Sequence, residues 1–394
     1  MGNKVTWLVF KKELMDTFRD RKTLIISILI PLILFPVLFG VIGKSMDKTE
    51  KAVENNLKIA VSDEAGQSNL AKFLKAQKNI NIIESNNTDE DVKSGKILAA
   101  LYIPKNLEEG ISKENTVNIQ LTYDNSSQQS QMAMSALKSY IEAYSKEIVS
   151  ERLSKRNISG DILNPISVEL KTSVKESEGF GKYMLSLMLP LMLVIYSVSG
   201  PMGAAVDLGA GEKERGTLEP LLTTQAGRMS LLWGKFLAIT TLGLITTLAS
   251  LIGLFIAMQQ KGGLFNGASG SLDTGVILLI GLVTLLLTMV FGALELAVSI
   301  YARSFKEAQT YISPLMIISF VPTYATYMLD AKSIETYYFH IPLANAVCLL
   351  KEFIAGIYNY THIAITFGWI AVYILASVLF ARYMFSREEV IFRT

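Results

Sequence analysis

The sequence predicts an α-helical membrane protein with six transmembrane helices, an amphipathic N-terminal helix and an external α/β domain between the first two spans. Half of the 394 residues are hydrophobic, and 18% are charged, against roughly 25% in an average soluble domain. Several apolar runs approach or exceed the roughly 20 residues that cross a bilayer as a helix. A long stretch after the first run is instead rich in Asn, Lys, Glu and Ser, which is typical of a soluble domain.

Six apolar runs are the predicted spans: 24–42, 183–206, 231–258, 276–301, 311–329 and 363–381. The second and fifth runs each contain two prolines, so we expect kinks there, which neighbouring helices tolerate in membranes. The first run is not a cleaved signal peptide, because more than twenty residues of mixed charge precede it and no small-x-small cleavage pattern follows. It is predicted to be an uncleaved anchor.

Lysine and arginine set the predicted orientation, because short cytoplasmic loops are enriched in them. They precede the first span, separate the second from the third and the fourth from the fifth, and follow the sixth. Both termini are therefore predicted to be cytoplasmic, with residues 45–180 outside. The predicted parts are the N-terminal helix (1–22), the first span (23–44), the external domain (45–180), and the remaining spans with their cytoplasmic loop (181–394, loop 207–230).

The external segment has no run long enough to span a membrane. Alternation of apolar residues predicts strands at 57–62, 79–83, 97–103, 116–123 and 166–174, and helices at 69–78 and 128–156. The second of these strands is equally compatible with a loop. The pattern favours a small α/β domain.

The N-terminal segment has an amphipathic helical pattern. Trp7, Phe10, Leu14 and Phe18 recur at three- and four-residue steps and so share one helix face. A helix with aromatic residues on one side and cations elsewhere lies naturally in the membrane interface. The alternative is a simple cytoplasmic extension of the first span.

A short loop between the second and third spans, residues 209–228, is dense in both signs of charge. Its carboxylates have no histidine or cysteine nearby, so they do not form acid–base or nucleophilic machinery. Gly216 permits a chain break, Thr217 is a potential helix cap, and three leucines form an apolar patch on a short helix. This arrangement suits a docking surface; the alternative is an ordinary solvated loop.

The loop sequence Glu-Lys-Glu-Arg-Gly-Thr-Leu-Glu-Pro-Leu-Leu at 212–222, followed by Gly234-Lys235, resembles the signature of ABC-2 type permeases. The order of N-terminal helix, first span, large external domain and five further spans is similar to that family along the whole chain. One departure is Gln225, where many relatives have proline.

The resemblance implies a multi-pass permease in a bacterial cell membrane. Two copies would work with two separate ATPase subunits, which would bind ATP and magnesium. The N-terminal helix would be the family's elbow helix, and it would contact the ATPase together with the loop. The implied coupling residues are Glu212, Glu214, Arg215, Gly216, Thr217, Leu218 and Glu219.

No Gly-Lys pair in the chain has the glycine spacing and following hydroxyl that a phosphate-binding P-loop needs. Within the family, the chain most closely resembles the permeases of bacterial sodium-extruding exporters, which implies sodium as the cargo. Permeases of this family also export peptides, antibiotics or lipids, and these remain alternatives.

Glu295 is the only carboxylate well inside a predicted span. An ionisable residue there is costly and usually faces protein or water, so we expect Glu295 on or beside an ion route. Hydroxyls in the second and fourth predicted spans would add oxygen ligands, which hard cations prefer: Ser197, Ser199, Thr284, Thr288 and Ser299. The alternative is a structural bond between helices or a contact on the ATPase side.

Other classes of function fit less well. A net charge of +2 gives no general affinity for nucleic acid, and one cysteine with two histidines cannot form a Cys/His metal cluster. No catalytic residues or resident cofactors are predicted. A membrane-bound enzyme would need a His-Glu-x-x-His, Cys/His or paired aspartate motif, and a sensor would need a cytoplasmic signalling domain. The chain is therefore expected to be a transport subunit in the lipid bilayer rather than an enzyme.

Overall fold

The structure is a computed structural model that describes residues 2–163, 176–224, 226–260, 263–265 and 273–391. The predicted strand at 166–174 and Gln225 lie outside the described residues. The chain divides into two compact units. The helical unit comprises Met1–Gly43 and Val174–Thr394, and the α/β unit is Lys44–Ser173.

The N-terminal part of the chain is helical. Its elements are α1 (Gly2–Arg19), α2 (Arg21–Leu24), a π-helical turn (Ile25–Leu29) and α3 (Ile30–Asn55). Helix α1 packs on a later helix at Gly234, where an added Cβ would lie 2.6 Å from Val9. The glycine therefore sets how closely the two backbones approach.

Among its described residues, the α/β unit has four strands and four α-helices after α3. In chain order they are β1 (Leu57–Asp63), α4 (Asn69–Ala76), β2 (Ile80–Ile82), α5 (Thr88–Lys93), β3 (Ala99–Ile103), α6 (Leu107–Ser112), β4 (Gln120–Tyr123) and α7 (Gln128–Lys155). The sheet order is β2-β1-β3-β4, with β4 alone antiparallel to its neighbour. Strands β1 and β3 carry its most buried residues.

Four predicted strands and both predicted helices of this unit are confirmed, with shifted ends. Strand β4 is shorter than the predicted 116–123, because β3 pairs with it only between Tyr102↔Gln120 and Ala99↔Tyr123. Helices α5 and α6 were not predicted, since each is only six residues long. Short helices of this kind lack a periodic apolar face.

The rest of the helical unit is described from Glu176 onward. Its helices are α8 (Glu176–Val206), α9 (Glu212–Glu214), α10 (Leu218–Leu222), α11 (Arg228–Met258), α12 (Thr274–Tyr301), α13 (Phe305–Ala325), α14 (Ala344–Ala355), α15 (Tyr360–Ser386) and α16 (Glu388–Ile391). A π-helical turn, Asp207–Gly211, joins α8 to α9, and a 3-10 turn, Thr336–His340, precedes α14.

Five helices among the described residues are long and apolar enough to cross a membrane: Ser27–Asn55, Gly181–Glu214, Arg228–Met258, Thr274–Tyr301 and Tyr360–Ser386. They support an α-helical membrane protein. The predicted fifth span at 311–329 corresponds to α13, which is not among the five, so the count of six stays a prediction. Helix α13 starts earlier than predicted because Ser304 caps Glu307 N at 3.2 Å and Glu307 accepts from Arg303 N at 2.8 Å.

Candidate functional site

The loop after α8 is held to the rest of the helical unit by the side chain of Lys213. Lys213 Nζ donates to the carbonyls of Ile300 at 2.9 Å, Ala302 at 3.2 Å and Val390 at 2.6 Å. These carbonyls lie at the end of α12 and in α16. Because the ammonium group of Lys213 binds carbonyls at the ends of both α12 and α16, it fixes α9 relative to these two helices.

The turn between α9 and α10 depends on Gly216 and Thr217. Gly216 has φ +67, the left-handed region in which glycine carries no Cβ penalty. Thr217 was predicted to cap α10, but its hydroxyl donates to Glu212 O at 3.1 Å and its side chain makes no cap bond. Thr217 therefore occupies the predicted N-cap position of α10, but its side chain does not cap the helix, because the tight turn brings the Glu212 carbonyl within reach of the hydroxyl.

A buried charge cluster joins α1, α9 and α11, and consists of Glu13, Glu212 and Lys235 with Lys12 at its edge. Lys235 Nζ lies 2.6 Å from Glu212 Oε2 and 3.7 Å from Glu13 Oε1. The first contact is a close ion pair without the angles of a hydrogen bond. Lys235 Nζ also donates to Leu208 O at 2.9 Å. The side chains of Glu13, Glu212 and Lys235 are all almost fully buried.

Lys12 completes the charge balance of this cluster at its exposed edge. Its Nζ lies 3.1 Å from Glu13 Oε1 and 3.5 Å from Glu212 Oε1. Burial raises the pKa of Glu13 and the Glu212 carboxylate adds to the rise, although Lys235 and Lys12 oppose it. Burial also acts to lower the pKa of Lys12, but Glu13 and Glu212 outweigh it and raise that pKa. Two carboxylates and two ammonium groups therefore neutralise one another.

The structure separates the predicted coupling residues into buried and exposed groups. Glu212 and Leu218 are buried within this chain, so neither side chain is open to a partner in this conformation. Glu214, Arg215 and Glu219 are exposed, as are Gly216 and Thr217. Glu214 Oε2 accepts from Phe305 N at 2.7 Å, and Arg215 pairs with Asp207 at 2.7 Å. The coupling role of the loop stays a prediction.

The four residues predicted to form one face of the N-terminal helix behave differently in the structure. Trp7 and Phe18 are exposed, whereas Phe10 and Leu14 are half-buried against the apolar cluster around α11. The side that faces α11 carries Val9 and Glu13. Helix α1 thus has an inner side bound to the buried charge cluster and an outer side with apolar residues.

Glu295 lies in the C-terminal half of α12 and is fully buried. Neither carboxyl oxygen has a hydrogen-bond partner among the described residues. Gly292 and Ser299 share its helix face; Gly292 approaches Pro201 of α8 and Ile239 of α11, and Ser299 Oγ accepts from Ala210 N at 2.9 Å. The face that carries Glu295 therefore packs against α8 and α11.

A second buried polar group, which sequence reasoning missed, lies around α14. Lys351 Nζ donates to the carbonyls of Thr326, Tyr327 and Leu329 at 2.8, 2.5 and 3.0 Å, just after the end of α13. Glu352 Oε1 lies 2.7 Å from His362 Nδ1. Burial lowers the pKa of Lys351 to about 8 and raises the pKa of Glu352.

These partners were missed because they are distant in sequence. The available signal was charge inside apolar surroundings: Lys351 and Glu352 follow the apolar run Ala346–Leu350, and Glu13 falls on the helix face of Val9. Buried ionisable residues are rare unless they are paired. No group of three or more His, Cys, Asp or Glu side chains suited to a metal ion occurs in the part of the chain that is described.

Residues 21–383 match the family described as "ABC-2 family transporter protein", and the chain belongs to that family. It is therefore the membrane-embedded permease component of an ABC transporter rather than the ATPase. The chain is similar to "ABC transporter permease protein NatB" of Bacillus subtilis (strain 168), with 30% identity over 390 residues. That alignment covers 97% of this chain and 98% of the relative. The predicted resemblance to the ABC-2 family is confirmed.

Proposed function

We propose that this chain is the permease of an ATP-driven exporter that extrudes sodium, with Glu295 on or beside the sodium route. The family makes it a transport component that works with an ATPase subunit. The observation that supports an ion route is the fully buried Glu295, whose two oxygens lack partners among the described residues. A carboxylate in such surroundings is stable only when it gains a cation, a donor or a proton.

Sodium is a hard cation and favours oxygen ligands. Besides the two carboxyl oxygens, Thr240 Oγ1 is buried on α11 without a partner in the described part of the chain. Thr240 lies beside Gly292, one turn before Glu295, since an added Cβ there would be 4.0 Å from the hydroxyl. These oxygens supply the chemistry that a dehydrated sodium ion requires.

The test of the cargo is sodium efflux from vesicles that contain the permease and its ATPase, normalised to assembled complex. Glu295→Gln keeps the shape and removes the charge, so sodium efflux should fall more than assembly does. Glu295→Asp should be milder. Glu352→Gln is a matched control, because it neutralises a buried carboxylate that already has an imidazole partner. If the wild-type complex moves no sodium, sodium is not the cargo, and the assignment of the chain as a permease is unaffected.

The exposed part of the 209–228 loop is proposed to contact the ATPase. Glu219 is the residue to substitute, because its side chain is exposed and has no ion pair among the described residues. Glu219→Lys should weaken co-purification of the ATPase and its stimulation by the permease, with normal membrane insertion. Glu50→Lys, an exposed acid on α3, is the matched control. Unchanged co-purification in Glu219→Lys and in Arg215→Glu would contradict this docking surface.

The buried charge cluster is proposed to transmit movement of this loop to the elbow helix. Glu212 belongs to the loop, Glu13 to α1 and Lys235 to α11, and one ammonium group contacts both carboxylates. A displacement of α9 would separate buried charges unless α1 followed. The elbow helix would then act in coupling through its inner side rather than through the aromatic residues.

The proposed topology places both termini and the loop in the cytoplasm and the α/β unit outside, in an assembly of two permeases and two ATPases. Single cysteines at exposed Ser150 and Thr223, in a Cys348→Ala background, test it on intact cells. An impermeant thiol reagent should label Ser150→Cys and spare Thr223→Cys. The opposite result would invert the topology. Cross-linking of the purified complex gives the stoichiometry.

Export of an organic molecule is a second candidate, favoured by a cavity in the α/β unit. The cavity has a volume of about 320 Å³ and lies between α7 and the segment from Leu107 to Ile119, with Tyr144 and Arg152 among its lining residues. This volume falls at the lower end of the range for small-molecule sites. Peptides, antibiotics and lipids should be compared with sodium in the same vesicles.

A further inference from the structure

The outer side of α1 has its own chemistry, distinct from the buried charge cluster on the inner side. Trp7, Lys11, Met15 and Arg19 follow one another at four-residue steps, so they form a continuous stripe on the helix surface. Phe18 lies beside the stripe. Trp7 is 63% exposed, Met15 46% and Phe18 45%, so these large apolar groups are uncovered in the chain.

This stripe forms an open concave surface of about 550 Å³. It is lined by aromatic and aliphatic side chains, and its charged lining residues are Lys11 and Arg19. Neither cation forms an ion pair with another described residue. The two charges are eight residues apart on one helix, which places them roughly 12 Å apart along its axis.

The acidic residues of α1 lie away from this surface. Glu13 is buried in the charge cluster, and Asp16 is 3.7 Å from Lys12. Of the described residues, no Asp or Glu lines the concave surface. The helix therefore keeps its acids near its own cations and presents a net positive, apolar face outward.

We propose that this outer face binds anionic phospholipid head groups, with Trp7 and Phe18 in the interface and Lys11 and Arg19 on the phosphates. The occupant is a membrane lipid rather than a soluble anion, because the face combines cations with exposed aromatic and thioether groups. Aromatic residues prefer the head-group level of a bilayer, and cations near an anionic surface add attraction. The first candidate span begins at Ser27, eight residues after Arg19, which keeps the face close to the membrane surface.

The test uses the full chain in vesicles of phosphatidylcholine with increasing phosphatidylglycerol, one lipid bearing a photoreactive group. Cross-links mapped by peptide should concentrate on α1 for phosphatidylglycerol and be weak for phosphatidylcholine. In Lys11→Gln/Arg19→Gln, labelling of α1 by phosphatidylglycerol should fall roughly 30-fold, the effect of two cations near an anionic surface. Lys72→Gln/Lys75→Gln, which removes two exposed cations of α4, should behave as wild type.

Trp7→Ala/Phe18→Ala should lower labelling by both lipids, because it removes the apolar part of the face. Slow reaction of the buried Cys348 with a thiol reagent confirms that each variant is folded. Equal labelling of α1 by both lipids in wild type would overturn the proposal. So would displacement of the lipid by inorganic phosphate, which would identify a phosphate site. Loss of ATPase co-purification in Lys11→Gln/Arg19→Gln with unchanged lipid labelling would assign the face to the ATPase instead.

Discussion

Lys235 should be the residue on which the packing of α1, α9 and α11 depends most. Its ammonium is fully buried and is the closest cation to Glu212. The substitution Lys235→Met keeps most of the side-chain volume and removes the charge. Two buried carboxylates, Glu13 and Glu212, are then left with Lys12, whose side chain is about half exposed.

Removing one partner of a buried ion pair costs about 3–5 kcal/mol, because the remaining charge stays buried without compensation. At about 2–4 °C per kcal/mol, the apparent unfolding temperature should fall by roughly 6–20 °C. Glu212→Gln should lower the free energy of unfolding less than Lys235→Met does. In that variant Lys235 still has two partners, the Leu208 carbonyl at 2.9 Å and Glu13 at 3.7 Å. The double variant Lys235→Met/Glu212→Gln should be more stable than Lys235→Met, since it contains one unpaired carboxylate fewer.

The single cysteine of the chain provides the assay. Cys348 is fully buried, and burial raises its pKa to about 12, so the folded protein should react slowly with a fluorogenic thiol reagent. Heating exposes the thiol, and the fluorescence midpoint gives the apparent unfolding temperature. Lys235→Arg is the control that keeps the charge. A midpoint for Lys235→Met equal to wild type, or a double variant whose loss is the sum of the single losses, would refute the reasoning.

Three further predictions use the same thiol assay. Gly216→Ala should cost about 1–2 kcal/mol because the residue has φ +67, and Gly216→Asn should cost less; equal midpoints would contradict this. Lys351→Met should lower the midpoint more than Gly216→Ala does, because three carbonyls lose their donor. Burial lowers the pKa of Lys351 to about 8, so the unfolded chain binds more protons between pH 8 and 10.5. The advantage of wild type over Lys351→Met should therefore grow with rising pH in that window. Labelling of folded Cys348 should stay slow at pH 9, where an unfolded thiol is largely ionised.

The sequence was sufficient for elements that depend on local periodicity. The apolar runs, the α/β unit with strands β1 to β4 and the amphipathic helix α1 were predicted because each pattern repeats within one segment. The capping box at Ser304 and Glu307 was also present in the sequence, and it explains why α13 begins before the predicted apolar run. The start of the fifth span was predicted from hydropathy alone, and a polar first turn of a helix has no hydropathy signal.

The pairing of buried charges was not predictable from the same patterns. Glu13 lies about 200 positions before Glu212 and more than 220 before Lys235, and no periodicity links them. The loop residues Glu212 and Leu218 appeared suited to a partner because charge and apolar residues on a short loop, predicted to be cytoplasmic, suggest exposure. The three carbonyls that hold Lys213 draw the loop against the helical unit instead, and both side chains become buried.

The contrast between the buried charges of this chain supports a special role for Glu295. Glu13 and Glu212 share Lys235, Glu352 lies against His362, and Lys351 reaches three carbonyls. Burial of a charge is therefore compensated within the chain at each of these positions. Glu295 is as deeply buried, yet neither of its oxygens has a partner among the described residues. An uncompensated carboxylate in such a setting costs several kcal/mol. The contrast therefore supports the proposal that Glu295 takes up an ion or a proton.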